Sequence, residues 1–232
     1  MITPSSNTTV EPLTSRIVWS LDDRFTVHYT RLVVTKISLE PDSLDQFELD
    51  AMLAAARLLA DAKVSAICWN GTSGAWKGVA ADRAICDAIQ HETGIPATSG
   101  TIGQLAAFEQ FGISRYALAV PYLDEVRAAI ERVYGTAGYA CTSSVGLGIS
   151  VNYDFAEVPL PTIRDLIRRS DSPAAECVVV VCTNLPAGLL VAELEAELGK
   201  PIFDSTLVSL WHPLRLAGYA DPIAGWGELL RR

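Results

Sequence analysis

Residues 178–182, VVVVC, are an unbroken run of apolar side chains with no polar position among them. A strand with one wet face alternates apolar and polar residues, so a short run that is apolar throughout belongs to a strand covered on both faces. Such strands sit in parallel sheets, whose crossover helices lie over the two faces. The run stops at TNLPAG, residues 183–188, a turn at the carboxyl end of the strand. In open α/β sheets that is the end where ligands are held.

The remaining sequence follows the same alternation. β-rich runs at 26–35, 64–69, 96–99, 115–120, 139–143, 177–181 and 201–204 alternate with helical patterns at 76–90, 102–111, 122–134, 162–169, 189–198 and 206–216. Another helix is read after Ser43-Leu44-Asp45-Gln46, a capping box, with Leu44, Phe47, Ala51, Met52, Ala55 and Leu58 on its apolar face. Repeated β-α alternation predicts an α/β fold with parallel sheets. The regions SAICWNGTS…HETGIPAT and CVVVVCTNL…AELGKPIF also share an order of strand, small turn, helix and Gly-x-Pro. Any two β-α-β units share some of this. If the repeat is a true duplication, the turns GTS and CTN face each other across a pseudo-twofold cleft.

Composition narrows the function. A net charge of −9 over 232 residues, with no dense Lys or Arg cluster, argues against nucleic acid as a partner. No segment approaches eighteen apolar residues, and MITPSSNTTVEP lacks the basic flank and apolar core of a signal peptide, so no membrane partner and a cytoplasmic location are expected. Five scattered cysteines and three histidines in no known motif indicate neither a disulfide framework nor a metal site.

Cys182 stands out by position. At the end of a buried strand and the start of a turn it meets free N–H groups, which favour the thiolate. Cys68, Cys86, Cys141 and Cys177 lie inside strand or helix patterns and read as structural thiols. At the matching point of the other half, Gly71, Thr72 and Ser73 offer N–H groups and two hydroxyls suited to a carboxylate or an enolate. No P-loop or dinucleotide fingerprint accompanies that turn. Tyr122 follows another strand end, where its phenol reaches the same cleft or simply starts a helix. Asn7 and Asn152 lie in loops, as carboxylate-binding amides or as turn formers.

Together NGTSGAWKG, ALAVPYLDEV, VVVVCTNL and LWHPLRLAG resemble the aspartate/glutamate racemase superfamily, in the branch of arylmalonate decarboxylases and maleate cis-trans isomerases. PSSNTTVE and GISVNYDFAEV are more similar to the isomerase side. The resemblance implies two Rossmann- or flavodoxin-like subdomains related by a pseudo-twofold axis, 1–112 plus 205–232 and 113–204, with the active site in the cleft between them. It implies neither cofactor nor metal, a small dicarboxylate as partner, and leaves a homo-oligomer open. Racemases of this kind use two cysteines, and the first-half position here is Gly71. The implied catalytic set is therefore Cys182 as acid, Gly71 as the empty first site and Tyr122 as a donor. Pro4, Asn7, Thr72, Ser73, Asn152 and Thr183 are the implied substrate-binding set. The expected activity is decarboxylation of a malonate-type diacid. Alternatives are an isomerase of the maleate or racemase type and a dicarboxylate-binding protein without catalysis. Two further expectations follow: Gly71→Cys should bring racemase-like exchange, and the first strand is either a stub before PSSN or begins upstream of Met1.

Overall fold

The computed structural model describes residues 1–19, 21, 25–40, 46 and 48–232. Two four-stranded parallel sheets carry the chain. The first holds β1 (Ile2–Pro4), β2 (Thr30–Leu32), β3 (Ile67–Trp69) and β4 (Ala97–Ser99) in the order β2-β1-β3-β4. The second holds β5 (Arg115–Val120), β6 (Ala140–Gly146), β7 (Cys177–Val180) and β8 (Ile202–Asp204) in the order β6-β5-β7-β8. The orders are the same, so the α/β class and the paired subdomains expected from sequence are both present.

Strand length is set by the partner. The expected 26–35 strand shrinks to Thr30–Leu32 because β1 offers only three residues to pair: Ile2 with Thr30, Thr3 with Arg31 and Pro4 with Leu32. β1 runs directly into Ser5, Ser6 and Asn7. In the second sheet β7 is buried at every position, as its continuous apolar run requires.

Helices α1 (Val10–Trp19), α2 (Leu49–Asp61), α3 (Gly74–Lys77), α4 (Val79–Thr93), α5 (Gly100–Phe111), α6 (Asp124–Thr136), α7 (Leu160–Ser170), α8 (Val191–Leu198) and α9 (Ser205–Leu216) connect the strands. Helix α1 lies outside the helical patterns read from sequence, although Val10, Leu13, Thr14, Ile17 and Val18 make its buried stripe. The capping box at residues 43–46 lies mostly outside the described residues. Helix α2 instead follows Glu48, which makes no side-chain cap, and it buries Met52, Ala55, Ala56 and Leu59. Ala51 and Leu58 face solvent, so the apolar stripe is rotated from the expected one. The helix read over 76–90 is broken at Gly78, whose φ of 114° interrupts the helical turn between α3 and α4. The 122–134 helix starts two residues later, which leaves Tyr122 in the turn after β5. The 189–198 helix divides into a 3-10 turn, Pro186–Leu190, and α8.

Helices α5 and α9 are among the elements that tie the halves together. Phe108 of α5 packs against Tyr116, Tyr134, Tyr139 and Phe203 of the second half, with ring centroids 4.6 to 6.1 Å apart. Helix α9 leaves the second sheet and returns to pack on α5, β3 and β4. Asp204 caps α9, its Oδ1 accepting from the N–H groups of Thr206 at 3.0 Å and Leu207 at 3.1 Å.

Burial raises the Asp204 carboxyl from its ordinary 3.8 to about 7, against those two N–H bonds. The folded chain therefore holds this proton more tightly than the unfolded chain does. Its contribution to stability is fully present below about pH 4 and is lost as pH rises toward about 7. Asp204→Asn keeps the cap and removes the titration. The variant is expected to gain stability relative to the parent as pH rises through that window, by ~2–4 kcal/mol at neutral pH. Urea unfolding of both proteins across the window checks this; a pH-independent difference would refute the buried titration.

Candidate functional site

The carboxyl ends of β3 and β7 meet between the lobes. Chain from each half crosses to the other there. Thr183 donates its hydroxyl to the Asn70 carbonyl at 3.3 Å and accepts from Asn7 Nδ2 at 3.2 Å. Asn7 Oδ1 in turn accepts from the N–H groups of Thr9 and Val10, capping α1. Asn184 Oδ1 accepts from the N–H groups of Thr8 and Thr9, while its Nδ2 donates to the Asn152 carbonyl at 2.6 Å. Asn152 donates to Ser6 Oγ at 2.7 Å.

Beside these ties lies a narrow, partly open cavity of about 10 Å³, room for a single water. Its walls include Pro4, Gly71, Thr72, Ser73, Tyr122, Asn152, Cys182 and Thr183. Of the nine residues singled out from sequence, all but Asn7 line it; Asn7 stands behind Thr183. Val34, Ile37, Trp69 and Trp76 complete the lining and were not foreseen. Trp69 and Trp76 read as strand and helix aromatics, and nothing in their spacing marks them as site residues. Val34 and Ile37 arrive because the segment after β2 pairs with the other half, through Lys36 opposite Val151.

The lining is mixed in character. Pro4, Val34, Ile37 and Trp76 are its apolar members. Among its polar members the Thr72 Oγ1 and Tyr122 hydroxyls lie 3.1 Å apart. One of those O–H groups serves the pair and the other is left to point elsewhere. The Tyr122 hydroxyl is also within hydrogen-bonding reach of the Cys182 thiol. Its ring is held edge-on between Trp76 and Phe155 at 5.4 and 5.2 Å. Among the described residues, the backbone N–H groups of Thr72, Ser73 and Thr183 donate to no protein acceptor.

Cys182 is 1% exposed. Burial pushes its thiol up to about 12, although the Tyr122 hydroxyl and the N–H groups of Asn184 and Leu185 pull the other way. This corrects the expectation of a thiolate: three donors do not offset the loss of water, and the resting side chain is S–H. Burial likewise drives the Tyr122 phenol well above its ordinary range, so it too keeps its proton.

The first-half turn departs from expectation at Ser73. Its Oγ accepts from Trp69 Nε1 at 3.1 Å and donates to Asp82 Oδ1 at 3.4 Å. The hydroxyl is already engaged, so what Ser73 offers the cavity is its N–H. Asp82 is buried, and burial raises its carboxyl to about 6. Gly71 is closely covered. A Cβ built there would lie 2.2 Å from Trp69 Cζ2, far inside contact distance. The exchange expected from a cysteine at this position therefore meets an indole first. The other four cysteines are buried or half-buried and stand outside the cavity lining.

Two repeated α/β lobes that meet at a cleft lined by the Cys182 thiol and a donor-rich turn define a two-lobed α/β protein with a cleft site. A family model described as arylmalonate decarboxylase matches residues 22–230, and the chain belongs to that family. The arylmalonate decarboxylase of Bordetella bronchiseptica is 28% identical over 196 residues, covering 83% of this chain and 81% of that protein. A crystal structure of arylmalonate decarboxylase superposes with a TM-score of 0.80 at 25% identity, covering 99% of this chain and 97% of that one. The maleate isomerase of Pseudomonas putida superposes with a TM-score of 0.91 at 20% identity, covering 99% and 96%. So does a Nocardia farcinica maleate cis-trans isomerase carrying a covalently bound succinylcysteine intermediate, with the same score, identity and coverage. The family is enzymatic and includes a decarboxylase; its fold neighbours include isomerases.

Proposed function

We propose that this chain decarboxylates a small malonate-type dicarboxylate without a cofactor, with Cys182 delivering the proton. The observation that carries this reading is the mixed lining of the cleft: one thiol, Cys182, with the Tyr122 hydroxyl in reach and a set of N–H and O–H donors, together with the apolar side chains of Pro4, Val34, Ile37 and Trp76. One carboxylate is held by the N–H groups of Thr72, Ser73 and Thr183 and by the Thr72 and Tyr122 hydroxyls. The other lies against Pro4, Val34, Ile37 and Trp76, where loss of water favours its departure. Its carbon-carbon bond breaks, carbon dioxide leaves, and the bonding pair passes into an enediolate. The donors hold that enediolate as charge accumulates on its oxygens, each contributing ~3 kcal/mol. The central carbon then takes the Cys182 proton, and the resulting thiolate recovers one from solvent.

Binding requires the walls to part, since the cavity as it stands has room for one water only. Lobe movement about the connecting segments is the ordinary means.

The second reading is a maleate-type isomerase. Asn152 in the lining and Asn7 behind Thr183 favour it, because both carboxylates of an alkene diacid need polar partners. Against it stands the first-half position, where Gly71 and the Trp69 indole occupy the place of a second thiol. A panel of substituted malonates and maleate, with carbon dioxide and fumarate both followed, separates the readings. Carbon dioxide without fumarate is expected. Fumarate alone would sink the decarboxylase assignment, and saturable diacid binding with neither product would leave a binding protein.

A further inference from the structure

The Trp69 indole is held more firmly than packing alone requires. It ends β3, is fully buried and borders the cavity. Its Nε1 donates to Ser73 Oγ at 3.1 Å, and Ser73 Oγ donates to Asp82 Oδ1 at 3.4 Å. Asp82 is itself buried, with the Gly74 N–H and the Ser99 hydroxyl beside it. The chain is directional, from indole N–H through hydroxyl to carboxyl, so the ring cannot flip without leaving a buried donor unmatched.

The ring lies where a side chain at position 71 would go. Its Cζ2, Cε2 and Cη2 atoms are 2.2, 2.4 and 2.9 Å from a Cβ built on Gly71. Gly71 and Cys182 both border the cavity, so the indole fills the first-half face of the space into which the thiol delivers its proton.

We infer that Trp69 is the specificity-determining residue of this cleft: its indole, pinned through Ser73 to Asp82, restricts the enzyme to malonates with a small substituent and excludes aryl groups. The inference rests on the decarboxylase reading and names the substrate class within it. The same ring bars a second base at position 71. A bulky substituent has to displace a fused ring that is tethered and enclosed, whereas a hydrogen or a methyl group does not. Steric discrimination of this kind in an apolar pocket is worth ~10–200-fold per methylene-sized increment.

The test compares kcat/KM for methylmalonate and phenylmalonate in the parent, Trp69→Leu and Trp69→Phe. The parent is expected to favour the methyl compound by at least ~100-fold. Trp69→Leu, which opens the face, should narrow that ratio at least ~10-fold, and Trp69→Phe should move it part of the way. An unchanged ratio in a folded Trp69→Leu overturns the inference. Should that variant not fold, an unchanged ratio in Trp69→Phe does the same. Calorimetric titration with the two diacids, run beside the kinetics, separates this failure from failure of the decarboxylase reading. If no malonate loses carbon dioxide but the binding ratio shifts as stated, the reading fails and the size filter stands. A final comparison uses position 71. Gly71→Cys alone is expected to lower thermal stability and to show no α-deuterium exchange with propionate, the product of methylmalonate, and exchange should emerge in the Trp69→Leu, Gly71→Cys double variant. Rapid exchange in the stable single variant contradicts the proposed blockade.

Discussion

Cys182→Ala is expected to reduce carbon dioxide release from any accepted malonate by ~10²–10⁴-fold in kcat while diacid binding and the thermal midpoint stay close to those of the parent. Cys182 is 1% exposed, two residues beyond β7, and the backbone around it is fixed by the β7 ladder before it and by the ties of Thr183 and Asn184 after it. Removing one small atom there leaves those bonds untouched. What is lost is the one S–H bordering the cavity. The pH profile carries a second check. With the thiol held at about 12, raised from its ordinary 9.0 by burial, the acid stays protonated throughout the neutral and mildly alkaline range. No loss of kcat centred near pH 9 should therefore arise from Cys182 ionisation. Full activity in the alanine variant, measured with the protein folded, would refute the assignment.

Tyr122→Phe is expected to lower kcat by ~10²–10³-fold, with a much smaller change in KM. Phenylalanine preserves the edge-on contacts with Trp76 and Phe155, so the fold survives. The lost hydroxyl is the atom that touches both Thr72 and Cys182. It aligns the proton donor and supports the charge that develops during proton delivery, and both matter more in the transition state than in the bound ground state. A variant whose KM rises while kcat holds would show that the phenol merely binds substrate, and its role beside Cys182 would fall.

Much of this molecule is readable along the chain. VVVVC announces a doubly covered strand because burial on both faces removes any reason for a polar position. Small turns after β3 and β7 show where the two strands stop, and they mark Cys182 and Gly71-Thr72-Ser73 as neighbours of the strand ends. Helix α1 was hidden because its entry, PSSNTTVEP, has the composition of a loop. Its N-terminus is capped by Asn7 from the same turn and by Asn184 from the other half. The rotated face of α2 has a similar origin. Ala51 and Leu58 fit an apolar stripe as well as Ala56 and Leu59 do, and only the sheet beneath selects between the two.

The sequence by itself determined the α/β class, the repeat of strand, turn and helix, and the placing of one cysteine at a strand end. Those properties follow from backbone and side-chain preferences that act over a few residues. The tertiary structure alone decided that Ser73 turns its hydroxyl to Asp82, that the Trp69 indole covers Gly71, and that Cys182 rests as a thiol. The cleft around them is closed by contacts between residues far apart in sequence: Thr72 and Tyr122 are 50 positions apart, Asn70 and Thr183 are 113, and Asn7 and Thr183 are 176. Local pattern reports which side chains reach the cleft. Removal of water, which sets the proton affinity of each group and the room left beside it, is a sum over both lobes and exists only once they have closed on one another.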